Sequence, residues 1–574
     1  MLRYFVLMTI IVPDVKTLIF LGGGSAGAVV TNRLTENPGW RVLLLEAGPD
    51  ESEASDVPVL ANNLQLGAFD WQYKVEPQPG RACIGHIGGR CNWPRGKVLG
   101  GSSVLNYMLY VRGNKGDYDE WRDLGNPGWG YEDVLPYFRK SEDNRNPYMS
   151  RDTRHHGTGG FLTVQEPPWH TPIALAFVEA GVEMGYENRD CNGERQTGFM
   201  LPQATIRRAS RCSTAKAFLR PIRERENLNI ALRSHVMKIL IEPDTKRAYG
   251  VKYWRDGEVF NVYARKEVIL SAGALNSPQI LMLSGVGPAN HLNNLDIPVM
   301  ADLSVGKNLQ DHYGSMALVG TTEKQVSIRE ERFLNIPSML QYAAKAEGPL
   351  TSLGGVEGLA WINTKFANRS EDRPDLEIMF VSGSTVSDSG TVKTVQGITE
   401  EVFDKLYSPI AGRDTFSFLL MVTRPTSRGY IKLRSKNPFE KPIFEAGYFE
   451  HPHDIKVIVE GMKFCIAMTK TKAFQKYGAK IWAGRKMPGC EQFVQWSDQY
   501  LECLARHYTN TIYHHSGSVK MGPANDPGAV VDSRLKVYGI HGLRVVDASI
   551  MPTVPSGNTN APTIMVAEKV FFFF

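Results

Sequence analysis

No apolar run in the sequence approaches the ~20 residues that a membrane-spanning helix needs, so no transmembrane segment is expected. Long basic blocks and basic-aromatic interleaving are missing as well. The 65 basic and 60 acidic residues are spread along the chain and leave a formal net charge of only +5. A nucleic-acid surface is therefore not expected, and the partner expected is a small molecule. Cysteine is scarce, 7 in 574 residues, which excludes a disulfide scaffold, and the odd number leaves at least one thiol unpaired within the monomer. There is no C-x-x-C and no H-E-x-x-H. His155-His156 and His451-Pro452-His453 lack further ligands at suitable spacing and read as loop histidines, so no metal site is expected. Internal repeats and low-complexity segments are absent apart from the terminal phenylalanines.

What is present is a globular composition, 42% hydrophobic and 22% charged, in a chain long enough to bury a large core and form two or three domains or subdomains. Cys83 and Cys91 share a Gly-rich loop and could bridge in an oxidising compartment. Asn368-Arg369-Ser370 is a glycosylation sequon. Tyr4 to Val12, after Arg3, fits a short signal h-region, but no small-x-small cleavage site follows and a strand begins almost at once. A truncated or rearranged N-terminus is the alternative.

The most informative stretch is Thr17 to Gly27, where a short apolar strand runs into Gly22, Gly24 and Gly27, a G-x-G-x-x-G. The first glycine makes the tight turn, the second lets backbone approach a pyrophosphate, and the third lets the following helix pack close on the strand. The helix N-terminus then faces the phosphates. Val42 to Leu45 reads as the second strand, and Glu46 ends it where a carboxylate can accept hydrogen bonds from an adenosine ribose. An ordinary tight turn with a solvated strand end is the plainer reading, and these residues alone do not separate NAD from FAD.

Gly96 to Asp119 carries a second turn, Gly100-Gly101-Ser102-Ser103, whose amides can cradle phosphate or face a ring system. It reads equally as a loop-to-helix start capped by Ser103. Val268 to Leu270 reads as a strand entering Ser271-Ala272-Gly273-Ala274, with a helix from Ser277 to Leu283 after it, Pro278 in its first turn, and a stop at Ser284-Gly285-Val286-Gly287.

In this order the segments resemble the glucose-methanol-choline (GMC) family of FAD oxidoreductases over nearly the whole chain. The resemblance rests on Gly22 to Gly27, Leu44 to Gly48, the two signatures Gly96 to Asp119 and Gly273 to Gly287, Val305 to His312, and the block from Tyr513 to Glu568. Within the family the chain looks most like the insect branch of glucose dehydrogenases that use FAD and a quinone or other acceptor.

The resemblance implies FAD rather than NAD. Gly22, Gly24, Ser25, Ala26 and Gly27 would line the pyrophosphate, Glu46 and Ala47 the adenosine ribose, and Val236 would meet the adenine through its backbone. Gly101, Ser103 and Asn106, Tyr107 and Met108 would lie along pyrophosphate and flavin. Asp547 and Ala548 would hold the ribityl end, with Thr559 and Asn560 beside the flavin. Relatives that tether the flavin do so through a histidine where this chain has Leu105, so the implied FAD is non-covalent.

Oxidising an alcohol at a flavin requires a base for the hydroxyl proton while hydride leaves the carbon, and histidine suits this because it titrates near neutrality. In Thr511 to Gly522, His514 matches the family's Tyr-His-x-x-Gly histidine; His515 falls one place later. The second family position maps to Asn558, an amide that can orient the substrate oxygen but cannot act as a base.

The expected fold is α/β: a doubly wound, Rossmann-like FAD domain from 16–150, 225–320 and 508–574, interleaved with an α+β substrate domain from 151–224 and 321–507 whose antiparallel sheet roofs the flavin. Alternation in Asp375 to Val381 and Gly429 to Arg434 suits such strands. The expected activity is oxidation of a sugar or other small-molecule alcohol, with electrons passed to a quinone or another acceptor. The alternatives are an alcohol oxidase that reduces O2 to peroxide, acting for instance on a sterol or aryl alcohol, a lyase, or a ligand-binding member. The family resemblance implies a secreted protein, with a cytoplasmic one as the alternative. The terminal Phe571 to Phe574 departs from the family's polar ending and reads as four exposed aromatics, as a gene-model or splicing artefact would leave.

Overall fold

The computed structural model describes residues 16–368 and 370–573. Tyr4 to Val12, Arg369 of the sequon and Phe574 lie outside the described residues.

A five-stranded parallel sheet has the spatial order Leu228–Ala231, Trp40–Leu45, Lys16–Leu21, Val268–Leu270, Leu543–Val545. Leu18, Ile19, Phe20 and Leu21 are all fully buried, as expected for a strand covered on both faces, which reads as a continuous apolar run. The first strand turns at Gly22, whose φ of 103° suits glycine alone, into the helix Ser25–Leu34. A Cβ on Gly27 would sit 1.9 Å from the Gly22 carbonyl oxygen, so only glycine lets this helix pack against the turn.

The last helix, Asn560–Val570, is buried from Ala561 onward and packs against the first helix. Arg33 donates from Nε and Nη2 to the two Glu568 oxygens at 2.8 and 2.7 Å, and Lys140 adds a third contact to the same carboxylate. Ser25 Oγ donates to Asn560 Oδ1 at 2.7 Å. Two helix N-termini, distant in sequence, thus meet at the carboxyl-terminal edge of the sheet, beyond its middle strand.

Over this edge lies an antiparallel sheet built on Tyr313–Thr321, Thr415–Val422, Leu376–Val381, Val356–Ile362 and Gly198–Met200, with Lys480–Ile481 and Thr509–Thr511 pairing to Tyr313–Thr321. A smaller antiparallel sheet, His235–Ile241, Ala248–Arg255 and Glu258–Tyr263, follows the outer parallel strand. Among the described residues no helix is long and apolar enough to cross a membrane.

Several local expectations need correction. Asp375 to Val381 does supply a strand of the roof, Leu376–Val381, in which Glu377 is enclosed, but the strand expected in Gly429 to Arg434, Tyr430–Lys432, pairs with Ile443–Glu445 outside the roof sheet. The Glu377 side chain is fully buried, and burial pushes its carboxyl up to about 8. His155 and His156 do lie in a loop, but a buried one: His156 bridges Glu142 and Asp190, and these carboxylates, winning over burial, push its pKa up to about 9. His451 caps the helix Pro452–Met468 through the His453 N–H. The terminal aromatics are not a uniformly exposed end, since Phe571 and Phe573 pack on the core and only Phe572 of the described three is exposed. Cys83–Cys91 is a disulfide, and Cys490–Cys503 is a second that spacing did not suggest; Cys191, Cys212 and Cys465 are buried thiols.

Candidate active site

One long cavity runs between the parallel sheet edge and the antiparallel roof. It is lined by Gly22, Gly24, Ser25, Ala26, Glu46, Ala47 and Val236 and by His514, Asn558, Thr559 and Asn560, with Ser25 and Asn560 meeting where the two groups join. Gly101, Asn106, Tyr107, Met108, Asp547 and Ala548 also line it. Part of the convergence follows from topology: Gly22 to Ala26, Glu46, Ala47, Asp547 and Ala548 sit at the carboxyl ends of parallel strands or just after them, where a doubly wound sheet leaves its crevice, whereas His514 follows the antiparallel strand Thr509–Thr511 of the roof.

Two of the expected residues act from behind the wall. Gly27 is the packing glycine described above. Ser103 Oγ donates to the Gly100 carbonyl at 2.6 Å and lies 3.0 Å from Thr214 Oγ1, fixing the second turn. Ser103 does not cap a helix; Gly100 occupies the N-cap position of the short Gly101–Val104 turn.

The polar groups at the nucleotide end suit a dinucleotide. Gly24 and Gly101 approach closely, and a Cβ on Gly101 would be 2.6 Å from the Gly24 Cα, so both turns present bare backbone to the space. The first-turn amides of Ser25–Leu34 have no partner within their helix and carry its positive dipole end. The Glu46 carboxylate accepts from the Gly23 and Gly48 amides at 2.8 Å each. Burial raises its pKa to about 7 against those hydrogen bonds. Asp547 is used structurally: it accepts from Gly273 N–H, Ser277 Oγ and Ser549 N–H, locking three turns around the cavity. Leu105 lines the cavity wall and offers no nucleophile there.

At the other end the chain is bent to aim one imidazole. Tyr513 has φ 64°, a conformation uncommon outside glycine, held by its amide donating to Thr511 Oγ1 and its hydroxyl to Gln65. His514 N–H donates to Asp311 Oδ1 at 2.7 Å. The His514 ring reaches His312 with Nδ1 at 2.8 Å and Asn558 Nδ2 with Nε2 at 3.4 Å. Asn558 Oδ1 is buried and has no partner among the described residues, so the acceptor is free to take a donor from a bound molecule. His515 points the other way, packed on Trp93 and off the cavity wall; its Nε2 lies 3.4 Å from Asp311 without forming a hydrogen bond.

Burial first, then His312, Arg95 and His515, hold His514 well below the usual histidine range, so its ring is neutral at neutral pH. Arg95 is a residue that sequence reasoning missed. It lines the cavity, donates from Nη1 to the Tyr513 carbonyl, and precedes the first signature by one position. His312 was missed too, although it closes the Val305 to His312 motif.

Residues 17–314 and 425–567 match the N-terminal and C-terminal profiles of the GMC oxidoreductases. The chain belongs to the GMC oxidoreductase family. It is 43% identical over 560 residues to the glucose dehydrogenase [FAD, quinone] of Drosophila melanogaster, covering 97% of this chain and 86% of that protein. It is 38% identical over 571 residues to the mitochondrial choline dehydrogenase of Homo sapiens, covering 97% and 89%. Among solved structures it is similar to pyridoxine 4-oxidase from Mesorbium loti (TM-score 0.82, 27% identity, 97% and 99% covered). It is also similar to a formate oxidase variant from Aspergillus oryzae (TM-score 0.83, 27% identity, 97% and 98% covered). As a GMC oxidoreductase the protein is an FAD-dependent enzyme that oxidises alcohol-type donors.

Proposed function

We propose that this GMC oxidoreductase oxidises a sugar or other small CH–OH donor with His514 as general base and Asn558 as orienting partner, and passes the electrons to a quinone or another carrier. The observation that carries the reading is the neutral His514 ring whose Nε2 shares the cavity with Asn558, beside the two converging helix N-termini. When bound, FAD supplies the hydride acceptor. His514 Nε2 takes the hydroxyl proton, and the Asn558 side chain fixes the oxygen from which it leaves. Gly22, Gly24, Ser25 and Ala26 would hold the pyrophosphate, Glu46 and Ala47 the ribose, and Val236 the adenine edge. Gly101, Asn106, Tyr107, Met108, Ala548, Thr559 and Asn560 would surround the rest of the cofactor, with Gly27, Ser103 and Asp547 holding the turns that shape the wall.

The domain division proposed is 16–150, 225–320 and 508–574 for the cofactor and 151–224 and 321–507 for the substrate. Tyr313–Thr321 and Thr509–Thr511 carry the chain across the border into the roof sheet. Two disulfides support a secreted protein, because such bonds persist in oxidising compartments.

Anaerobic mixing with a panel of sugars and alcohols tests the activity. The productive donor bleaches the flavin absorbance, and an unbleached flavin with substrate turnover would favour a lyase. Mixing the reduced enzyme with quinone or with air-saturated buffer then separates acceptors. The reading expects quinone to reoxidise it much faster than O2; equal rates with stoichiometric peroxide would make it an oxidase, as its neighbours of solved structure are named. Because Leu105 offers no nucleophile, acid or heat denaturation should release one FAD per chain into the supernatant. A yellow pellet under a colourless supernatant would show a tether.

A further inference from the structure

We infer that His312 is a positioning residue that fixes the tautomer of His514, so that the Nε2 lone pair faces the cavity. The inference rests on the reading of His514 as base and deepens it. His312 is fully buried, is not part of the cavity wall, and touches His514 from behind.

The assignment follows from one group that can only accept. His312 Nε2 lies 2.9 Å from the Thr423 carbonyl oxygen. A carbonyl has no proton to give, so Nε2 of His312 carries the N–H and donates it. Burial holds His312 down to about 4, so the ring is neutral and its other nitrogen, Nδ1, is a lone pair. That lone pair is 2.8 Å from His514 Nδ1, which must therefore be the donor. A neutral His514 with its proton on Nδ1 has a bare Nε2, and this is the nitrogen beside Asn558 in the cavity. The Asn558 amide nitrogen at 3.4 Å is complementary to it, since an amide N–H faces the lone pair.

The opposite arrangement would put the His312 Nε2 lone pair against the Thr423 oxygen with no water path to relieve it, because both groups are buried. The chain of contacts therefore has one direction: Thr423 carbonyl, His312, His514, substrate hydroxyl. When His514 takes a proton, the substrate O–H bond breaks and a new N–H forms at Nε2. The Nδ1–H bond to His312 is kept throughout, so nothing behind the base reorganises during the step. Thr423 follows the roof strand Thr415–Val422, His312 precedes the roof strand Tyr313–Thr321, and His514 comes shortly after Thr509–Thr511, which pairs with that strand, so the relay is held by one sheet.

His312→Leu and His312→Gln test this in the FAD-bound enzyme. Leucine removes the acceptor; glutamine can accept from His514 Nδ1–H through Oε1 and donate to Thr423 through its amide. Flavin reduction at saturating donor should slow at least about tenfold in His312→Leu, in the direction known for a mis-set catalytic imidazole, with little change in FAD content or donor Kd. His312→Gln should recover most of that loss. Long-range 15N spectra of histidine-labelled, substrate-free enzyme should show the His514 ring, identified by its absence in His514→Ala, as the Nδ1–H tautomer in wild type and as a mixture in His312→Leu. An Nε2–H tautomer in wild type overturns the relay, as does a His312→Leu enzyme that reduces as fast as wild type with the tautomer unchanged. If His514→Ala keeps its rate, the base assignment fails separately, while the tautomer signal still decides the relay.

Discussion

His514→Ala should leave FAD bound and slow flavin reduction by about 10²- to 10⁴-fold, the loss expected when a positioned general base is removed. His514 is held by its backbone amide on Asp311 and by its ring on His312, so the alanine variant opens a small space without disturbing the nucleotide end of the cavity. His515→Ala should cost far less, because that ring is packed on Trp93 and does not reach the cavity. Single-turnover reduction followed at the flavin band compares the two. A reversal of the two phenotypes would show that the register of the base is off by one. The pH profile carries the same assignment. Burial, then His312, Arg95 and His515, lower the His514 pKa. The active neutral form therefore persists as pH falls through the ordinary histidine value near 6.5 and is lost only below it. The acidic limb of the reduction rate should accordingly lie well under that value in wild type, and a limb centred at it would contradict the buried, charge-crowded setting.

Gly24→Leu should yield folded protein without FAD. The backbone at Gly24 is ordinary, φ −77° and ψ −163°, so glycine is not needed there for conformation. A Cβ would meet only the Gly101 Cα, at 3.7 Å, and everything beyond it would project into the cavity. On the proposed assignment, glycine at this position keeps space open for the pyrophosphate. Gly27 is the contrast, since its Cβ would strike the Gly22 carbonyl at 1.9 Å, and Gly27→Ala should damage folding itself. Circular dichroism together with the flavin-to-protein absorbance ratio separates the two outcomes. Stoichiometric flavin in Gly24→Leu would remove the phosphate-loop assignment.

Much of this was legible because local sequence and local structure coincide in the nucleotide half. Thr17 to Gly27 shows its strand, its turn and its close packing in residue types alone, and the helix expected from Ser277 to Leu283 with Pro278 in its first turn is found as Asn276–Leu283. The roof was less legible. Asp375-Leu376-Glu377-Ile378 opens the strand with the alternation of a half-exposed one, yet neighbours on both sides bury Glu377. Whether an alternating strand meets solvent depends on what covers its polar face, which lies elsewhere in the chain.

By itself the sequence determined the βα turn, the glycine positions and the acidic strand end, because each of these depends on neighbours within a few residues, and the order of its motifs along the chain carried the likeness that points to an alcohol-oxidising flavoenzyme. The tertiary structure decided which of two adjacent histidines faces the cavity, since that depends on the positive φ at Tyr513 and on the grip of Asp311. It also placed His312 and Arg95 behind and beside the base, the one 202 residues away along the chain. Proton position on an imidazole is set by the donor or acceptor that folding puts against its other nitrogen, and no local pattern records that neighbour.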